Sequence, residues 1–449
     1  MTVTEKEPRA DLPSPADPPP DAIIPASGNF NQVLRLLVVL ALVTVVFLLA
    51  GLGDLLLFIA ILIVVVMLHE LGHFATAKWA GMKVTEYFVG FGPRLWSVRR
   101  GETEYGVKAI PAGGYVRITG FTVLEDVPDE DEPRAYRQQP FGKRMIVGSA
   151  GSAMHFLIAF VLALIAIFVF GTPTNNLQVV GLEHLQGGTP TPAQRAGLAP
   201  GDVIVSVNGK PLKALTHPGT LTKTITRSAG TPVKLGVERD GHVRQVTITP
   251  ADGRGIRADG SLLAPATAAA PHGFIGVDLN SPTQSVNPIR AIGLGAKNVW
   301  DVTTGEIAGI GHIFSPNGLN SFYHQVSNSK DATQAANHPA TSPRPSSIIG
   351  IADIGVQAQQ AGILFLLEFL ITVNIAFGLL NMLPMIPFDG GHVAVAGYEW
   401  IRTKKGQPYY KADIAKLFPV VFVFMAFLAV FVLGAVYLDV AHPLKNLFP

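Results

Sequence analysis

The chain reads as a polytopic α-helical membrane protein: a bundle of four core transmembrane helices, an extra N-terminal helix, an inserted β-rich domain and membrane-associated β-hairpins. Three observations predict it. Of 449 residues, 48% are hydrophobic and 15% charged, whereas a soluble domain carries about 25% charged residues; mean hydropathy is +0.36. Apolar runs on the scale of a bilayer span, about 20 residues, begin at Asn31, Leu55, Met145, Ile363 and Leu417. Between the third and fourth runs, alternating segments and tight-turn dipeptides replace the helical pattern. The net charge of +2 comes with no basic block interleaved with aromatics, so no nucleic-acid partner is expected. The lack of cysteine excludes disulfides and thiolate metal sites and leaves the redox compartment open.

Residues 1–30, rich in Pro, Asp and Ala, predict a disordered tail. Residues 31–83 hold two spans joined by a tight turn at Gly51–Asp54. The first runs from Asn31 to Ala50. A cleaved signal peptide is its alternative reading, against which stands the long acidic, Pro-rich leader. The second, from Leu55, reaches spanning length only by including Leu68-His69-Glu70-Leu71-Gly72-His73-Phe74.

Residues 84–144 form a basic loop that the positive-inside rule places in the cytoplasm. Its alternation, with turn signals at Arg100-Gly101-Glu102 and Ala112-Gly113-Gly114, predicts β-hairpins at the membrane face. The span at 145–171 opens on Gly148-Ser149-Ala150-Gly151-Ser152-Ala153, small residues that let helices approach closely. Residues 172–250 form the β-rich domain on the outer side. A short helix ends at Gly197, strand 203–207 follows, Asn208-Gly209 makes a tight turn, and segments 233–242 and 243–249 form a second hairpin. Residues 251–362 read as a linker, an amphipathic helix from Asn287 to Phe314 lying along the outer membrane surface, and a mobile loop from Ser315 to Ser347. A span over 363–392 ends at Met385 and breaks at Pro384 and Pro387, with Asp389 in the break. Residues 393–416 form a basic cytoplasmic loop, and 417–449 the last span and a tail.

The chemistry begins at His69-Glu70-Leu71-Gly72-His73. On a helix, His69 and His73 lie one turn apart on one face and can reach one metal ion, with Glu70 beside them. Ionisable groups at the end of an apolar span mark function. Topology carries Asp389 to the same cytoplasmic end, so His69, His73 and Asp389 supply two nitrogens and one oxygen. That is a three-ligand set of the kind that holds one catalytic zinc ion per chain and leaves a position open for water. Glu70 is then the general base. Asn381 is the candidate donor to an oxyanion; an interhelical hydrogen bond is its other reading. Asn374 is a weaker candidate of the same kind, assigned to substrate binding. Asp389 as an ordinary turn residue is the bland alternative. His392 receives no assignment.

These residues resemble the bacterial site-2 protease family. The resemblance rests on His69-Glu70-x-x-His73, on Asn381-x-x-Pro384-x-x-Pro387-x-Asp389-Gly390, on Gly90-Phe91-Gly92-Pro93 and on Gly113-Gly114-Tyr115-Val116. The stretch 194–209 resembles a PDZ domain. The resemblance covers residues 55–449 in matching order and implies a zinc metalloprotease of a multi-pass cell-membrane type, with the PDZ-like domain extracytoplasmic and the zinc site near the cytoplasmic face. It implies cleavage of transmembrane segments of single-span membrane proteins, such as anti-sigma factors or remnant signal peptides, after a first cut by an upstream protease. The partners are then those substrates and membrane lipid. The family usually has Gly-Pro-x-x-Asn where this chain has Gly151-Ser152-Ala153-Met154-His155. His155 in place of Asn alters helix packing or substrate handling near the site; a third metal-binding imidazole is the remaining reading. The competing readings of the whole chain are an inactive membrane scaffold whose outer module binds peptides, and a proton-relay transporter, which the lack of repeated halves disfavours.

Overall fold

The computed structural model describes residues 30–449 apart from 123–124, 175–176, 184–188, 213–218, 254–271, 281, 338–343, 405–409, 445–446 and 449. The predicted tail at 1–30 lies outside the described residues except Phe30, and so does the linker at 251–272 except its ends. Contacts divide the chain into two compact units, residues 1–162 with 298–449, and residues 163–297.

In the first unit, α1 (Phe30–Leu49) and α2 (Gly53–Trp79) flank a turn in which Leu52 N–H returns to Phe47 O. Helix α2 is one continuous element from Gly53 through both histidines, so the second span does include the His-Glu motif. β1 (Val84–Arg100) and β2 (Thr103–Ile118) follow. The turn at Gly101 reverses the chain as expected. Gly113-Gly114, expected as a second turn, lies inside β2. Register shows why: residues 86–89 have Cα partners both in 104–107 and in 114–117, so both long strands bend and fold over one another rather than forming separate hairpins. The sheet is fastened to α2 by Tyr87, whose hydroxyl donates to Met67 O at 2.7 Å, and by Phe74 against Tyr87 and Tyr105.

Helix α3 (Phe141–Phe170) starts four residues earlier than predicted, at the first residue after Pro140. Its small residues serve as expected: an added Cβ on Gly72 of α2 would stand 2.6 Å from Ala150 O of α3, so the two backbones meet there.

The second unit carries β3 (Thr172–Pro173), β4 (Leu177–Leu182), α4 (Pro192–Arg195), β5 (Val203–Val207), β6 (Lys210–Pro211), α5 (Gly219–Arg227), β7 (Val233–Arg239), β8 (His242–Ile248), β9 (Ala251–Asp252), β10 (Gly273–Phe274), β11 (Val277–Asn280) and β12 (Thr283–Gln284). The main sheet has the order β11-β4-β5-β7-β8, with β6 on β5. Its core is Val179, Ile204, Leu221, Leu235, Val237 and Ile248. Asn208-Gly209 turns as read, and the second hairpin turns at Asp240-Gly241; both dipeptides take positive φ at both positions, the geometry of tight hairpins.

Helix α6 (Pro288–Ile313) matches the predicted amphipathic helix. The predicted mobile loop at 315–347 is corrected: it contains α7 (Pro316–Ser327) and α8 (Ser329–Asn337), while 338–343 lie outside the described residues. Ser315 caps α7 by accepting from Gly318 N–H, a signal masked by the polar composition. Helix α9 (Ile348–Ala361), absent from the sequence reading, begins at the Ser347 cap and packs on α2, where Gly355 has no Cβ to collide with Phe58. Phe58, Leu366 and Leu370 form the core between α2 and α10 (Ile363–Asn381). Helix α10 ends at Asn381, not Met385, because Pro384 withholds the N–H that would continue it. Residues 393–416, expected as a loop, begin as α11 (Asp389–Arg402). Helix α12 (Phe418–Ala441) closes the chain. Among the described residues five helices, α1, α2, α3, α10 and α12, are long and apolar enough to cross a membrane.

Candidate metal centre

The centre is assembled from α2, α3, α10 and the start of α11. His69 and His73 occupy successive turns of one face of α2 and are buried, 7% and 3% exposed. Asp389 is the first residue of α11, delivered by the proline-broken segment 382–388. Its Oδ2 stands 3.4 Å from His69 Nε2 and 3.1 Å from His73 Nε2. Among the described residues these three form the one group of His, Asp or Glu side chains close enough to share an ion.

The donor set fits zinc. His73 Nδ1 lies 2.7 Å from Val147 O of α3. A carbonyl only accepts, so Nδ1 carries the proton and Nε2 is left bare for a metal, with the carbonyl fixing the ring. Tetrahedral zinc with bonds of about 2.0–2.1 Å holds neighbouring ligand atoms roughly 3.3–3.4 Å apart, which is the scale of the separations seen. Gly151 of α3 supplies the space: an added Cβ would run into both imidazoles.

Glu70 points toward β2, where its Oε2 accepts from Val116 N–H at 3.0 Å. It lines a cleft of about 420 Å³ together with His69, His155, Asn381 and Asp389. The structure therefore brings together Glu70 and the three candidate ligands, and it puts Asn381 on the same cleft. Asn374, expected to touch substrate, is fully buried, lies outside the residues lining the cleft, and has its amide on His155 and on Leu370 O. His392 packs its ring against Phe121, at 4.1 Å between centroids. His155 is not among the three grouped ligands, but its ring centroid lies 4.9 Å from that of His69, the two planes tilted by 43°. Gly151, Val147 and Val116 escape the sequence reading as parts of the site. Two of them act through the backbone and one through the lack of a side chain; the small-residue run at 148–153 and the family motifs that include Val116 and Gly151 hint at those two without giving their roles.

Residues 57–428 match peptidase family M50. The chain is 34% identical over 421 residues to the zinc metalloprotease Rip1 of Mycolicibacterium smegmatis, covering 88% of this chain and 98% of that protein. It is 33% identical over 416 residues to the zinc metalloprotease Rip1 of Mycobacterium tuberculosis, covering 87% of this chain and 97% of the relative.

Proposed function

The chain belongs to peptidase family M50, the site-2 proteases, and is a zinc-dependent protease; from this we propose that it hydrolyses peptide bonds within transmembrane segments of single-span membrane proteins. The observation that carries the reading is the convergence of His69, His73 and Asp389 from α2 and α11, with Glu70 on the same cleft.

His69, His73 and Asp389 would hold the zinc, which would supply Lewis-acid chemistry and lower the pKa of water to near neutrality. Glu70 takes the proton of the attacking water and returns it to the departing amine. Val116 N–H keeps that carboxylate aimed. Asn381 donates its amide N–H to the carbonyl oxygen as negative charge develops there. A helix in lipid hides its peptide groups in internal hydrogen bonds, so the substrate unwinds before it is cut. Strands β1 and β2 offer the unwound segment an edge to pair with.

Basic residues in 78–144 and 402–416 favour a cytoplasmic position for the metal centre and an extracytoplasmic one for the β-rich unit. That unit, PDZ-like in its 194–209 stretch, binds an exposed peptide end or screens out bulky ectodomains. Anti-sigma factors and remnant signal peptides trimmed by an upstream protease are the substrate classes this arrangement suits.

Co-expression with tagged single-span proteins tests the proposal. A trimmed precursor accumulates with Glu70→Gln and is consumed by wild type, while zinc content stays the same in both. Equal precursor levels with both proteins across the candidate set would favour the scaffold reading.

A further inference from the structure

His155 stands beside the metal centre without belonging to its ligand group. It sits on α3, buried at 2% exposure, and its ring lines the cleft with Glu70, Asn381 and Asp389. Its Nδ1 is 3.0 Å from Asn374 Oδ1, and Asn374 Nδ2 donates to Leu370 O at 2.8 Å.

This chain of contacts has one consistent proton arrangement. Leu370 O only accepts, so the amide nitrogen of Asn374 must face it. That turns Asn374 Oδ1 toward His155. Oδ1 also only accepts, so the proton on the neutral ring sits on Nδ1. Nε2 is left as a bare acceptor. Asn374 is fully buried, so no bulk water competes for its amide.

The cleft has need of such an acceptor. An unwound peptide brings main-chain N–H groups that have lost their helical partners, and each is costly to leave unpaired in apolar surroundings. His69 and Asp389 would be taken up by zinc. Glu70 already accepts from Val116 and must receive the proton of water. Asn381 is assigned to the carbonyl oxygen. The other lining side chains, including Val66, Phe377, Leu380 and Phe388, have no acceptor.

We propose that His155 Nε2 accepts a hydrogen bond from a main-chain N–H of the unwound substrate next to the scissile bond, and that Asn374 is the positioning residue that fixes the ring for it. The inference rests on the protease reading above and adds a substrate contact to it.

The test uses the purified full chain and a synthetic apolar single-span peptide that wild type cleaves and Glu70→Gln does not. His155→Leu lowers kcat/KM by about tenfold, the scale of one hydrogen bond, and leaves zinc content unchanged. His155→Gln, whose amide oxygen can accept from the same N–H, recovers part of the loss. In Asn374→Leu the imidazole nitrogen shifts of His155 report a mixture of tautomers in place of one. The decisive set replaces each amide near the scissile bond by an ester, one at a time, which removes one N–H. At one position the ester slows wild type as much as His155→Leu slows the amide peptide, and the two changes together are no slower than either alone.

Three results would overturn the proposal: unchanged kcat/KM in His155→Leu, loss of zinc in that variant, or additive effects at every ester position. Each leaves the protease reading standing, because that reading depends on the Glu70→Gln control. Cleavage of the peptide by Glu70→Gln at the wild-type rate would instead remove both.

Discussion

A Cβ on Gly151 would fill the space between the imidazoles of His69 and His73. Gly151→Ala therefore forces α3 away from α2 or turns a ring. Overpacking of this kind costs about 1–3 kcal/mol, so zinc affinity falls roughly tenfold or more. Metal content after dialysis against a zinc buffer measures it, and retention equal to wild type would contradict the close approach. At this scale the sequence is legible where chemistry is written in side chains. His69, Glu70, His73 and Asp389 stand out by spacing and by their setting in apolar helices. Val147 does not, because any residue offers a carbonyl and only the crossing of α2 and α3 selects this one. Sequence alone does not show what Asn374 touches. Its polarity in an apolar helix is visible, but its burial behind His155 depends on how α10 packs against α3.

Helix α11 is held to α3 by a buried ion pair, Arg144 Nη1 to Glu399 Oε2 at 2.6 Å. Glu399 Oε1 also accepts from Ala412 N–H. Both side chains are almost entirely out of solvent. Arg144→Met leaves the Glu399 carboxylate buried and unpaired, which costs about 3–5 kcal/mol. Arg144→Met combined with Glu399→Leu removes both charges and regains most of that loss. Thermal unfolding in detergent distinguishes the two outcomes.

The tip between β1 and β2 has its own clamp. Arg134, with Lys78 adding to it, holds the Glu102 carboxyl down from the ordinary 4.5 to about 2. A carboxyl depressed in the folded state adds stability that is complete above its unfolded value. That contribution fades as pH falls from about 4.5 toward 2. Protection of amides near Gly101, measured against the intrinsic exchange rate at each pH, should fall over that window in wild type and show no such step in Glu102→Gln. Elements with a long apolar run, such as α2, or with alternation and a turn dipeptide, such as β5 and the β7–β8 hairpin, are readable from the sequence. Helices α7, α8 and α11 are not: polar residues such as Asn, Ser, Thr and Gln make up much of the first two, and basic residues near 402–416 draw all of 393–416 into one loop. The cap at Ser315 and the stop at Pro384 are signals one residue long.

At the scale of the whole molecule, the five apolar helices are legible because a span-length run is the least ambiguous pattern a sequence carries. Their outward faces, such as Phe422, Val423, Val430 and Leu433 on α12, stay exposed in the isolated chain, as a lipid-facing surface requires. What a linear pattern does not encode is which helices touch. The pairing of α9 with α2 through Gly355 and Phe58, and the tie of Arg344 and Ser347 to Asp439 at the end of α12, follow from three-dimensional packing alone.

The position of Asp389 at the head of α11, separated from α10 by a stretch of neither helix nor strand, bears on handling of the protein. His73 and Asp389 are 316 residues apart in the chain. An ion gripping both acts as a bolt across the fold, and a binding partner that prefers the native form raises its stability in proportion to occupancy. Pulling the bolt with a chelator should loosen residues 382–392 first. Deuterium uptake there rises on treatment with EDTA and returns to baseline on adding zinc, while β7 and β8 keep their protection throughout.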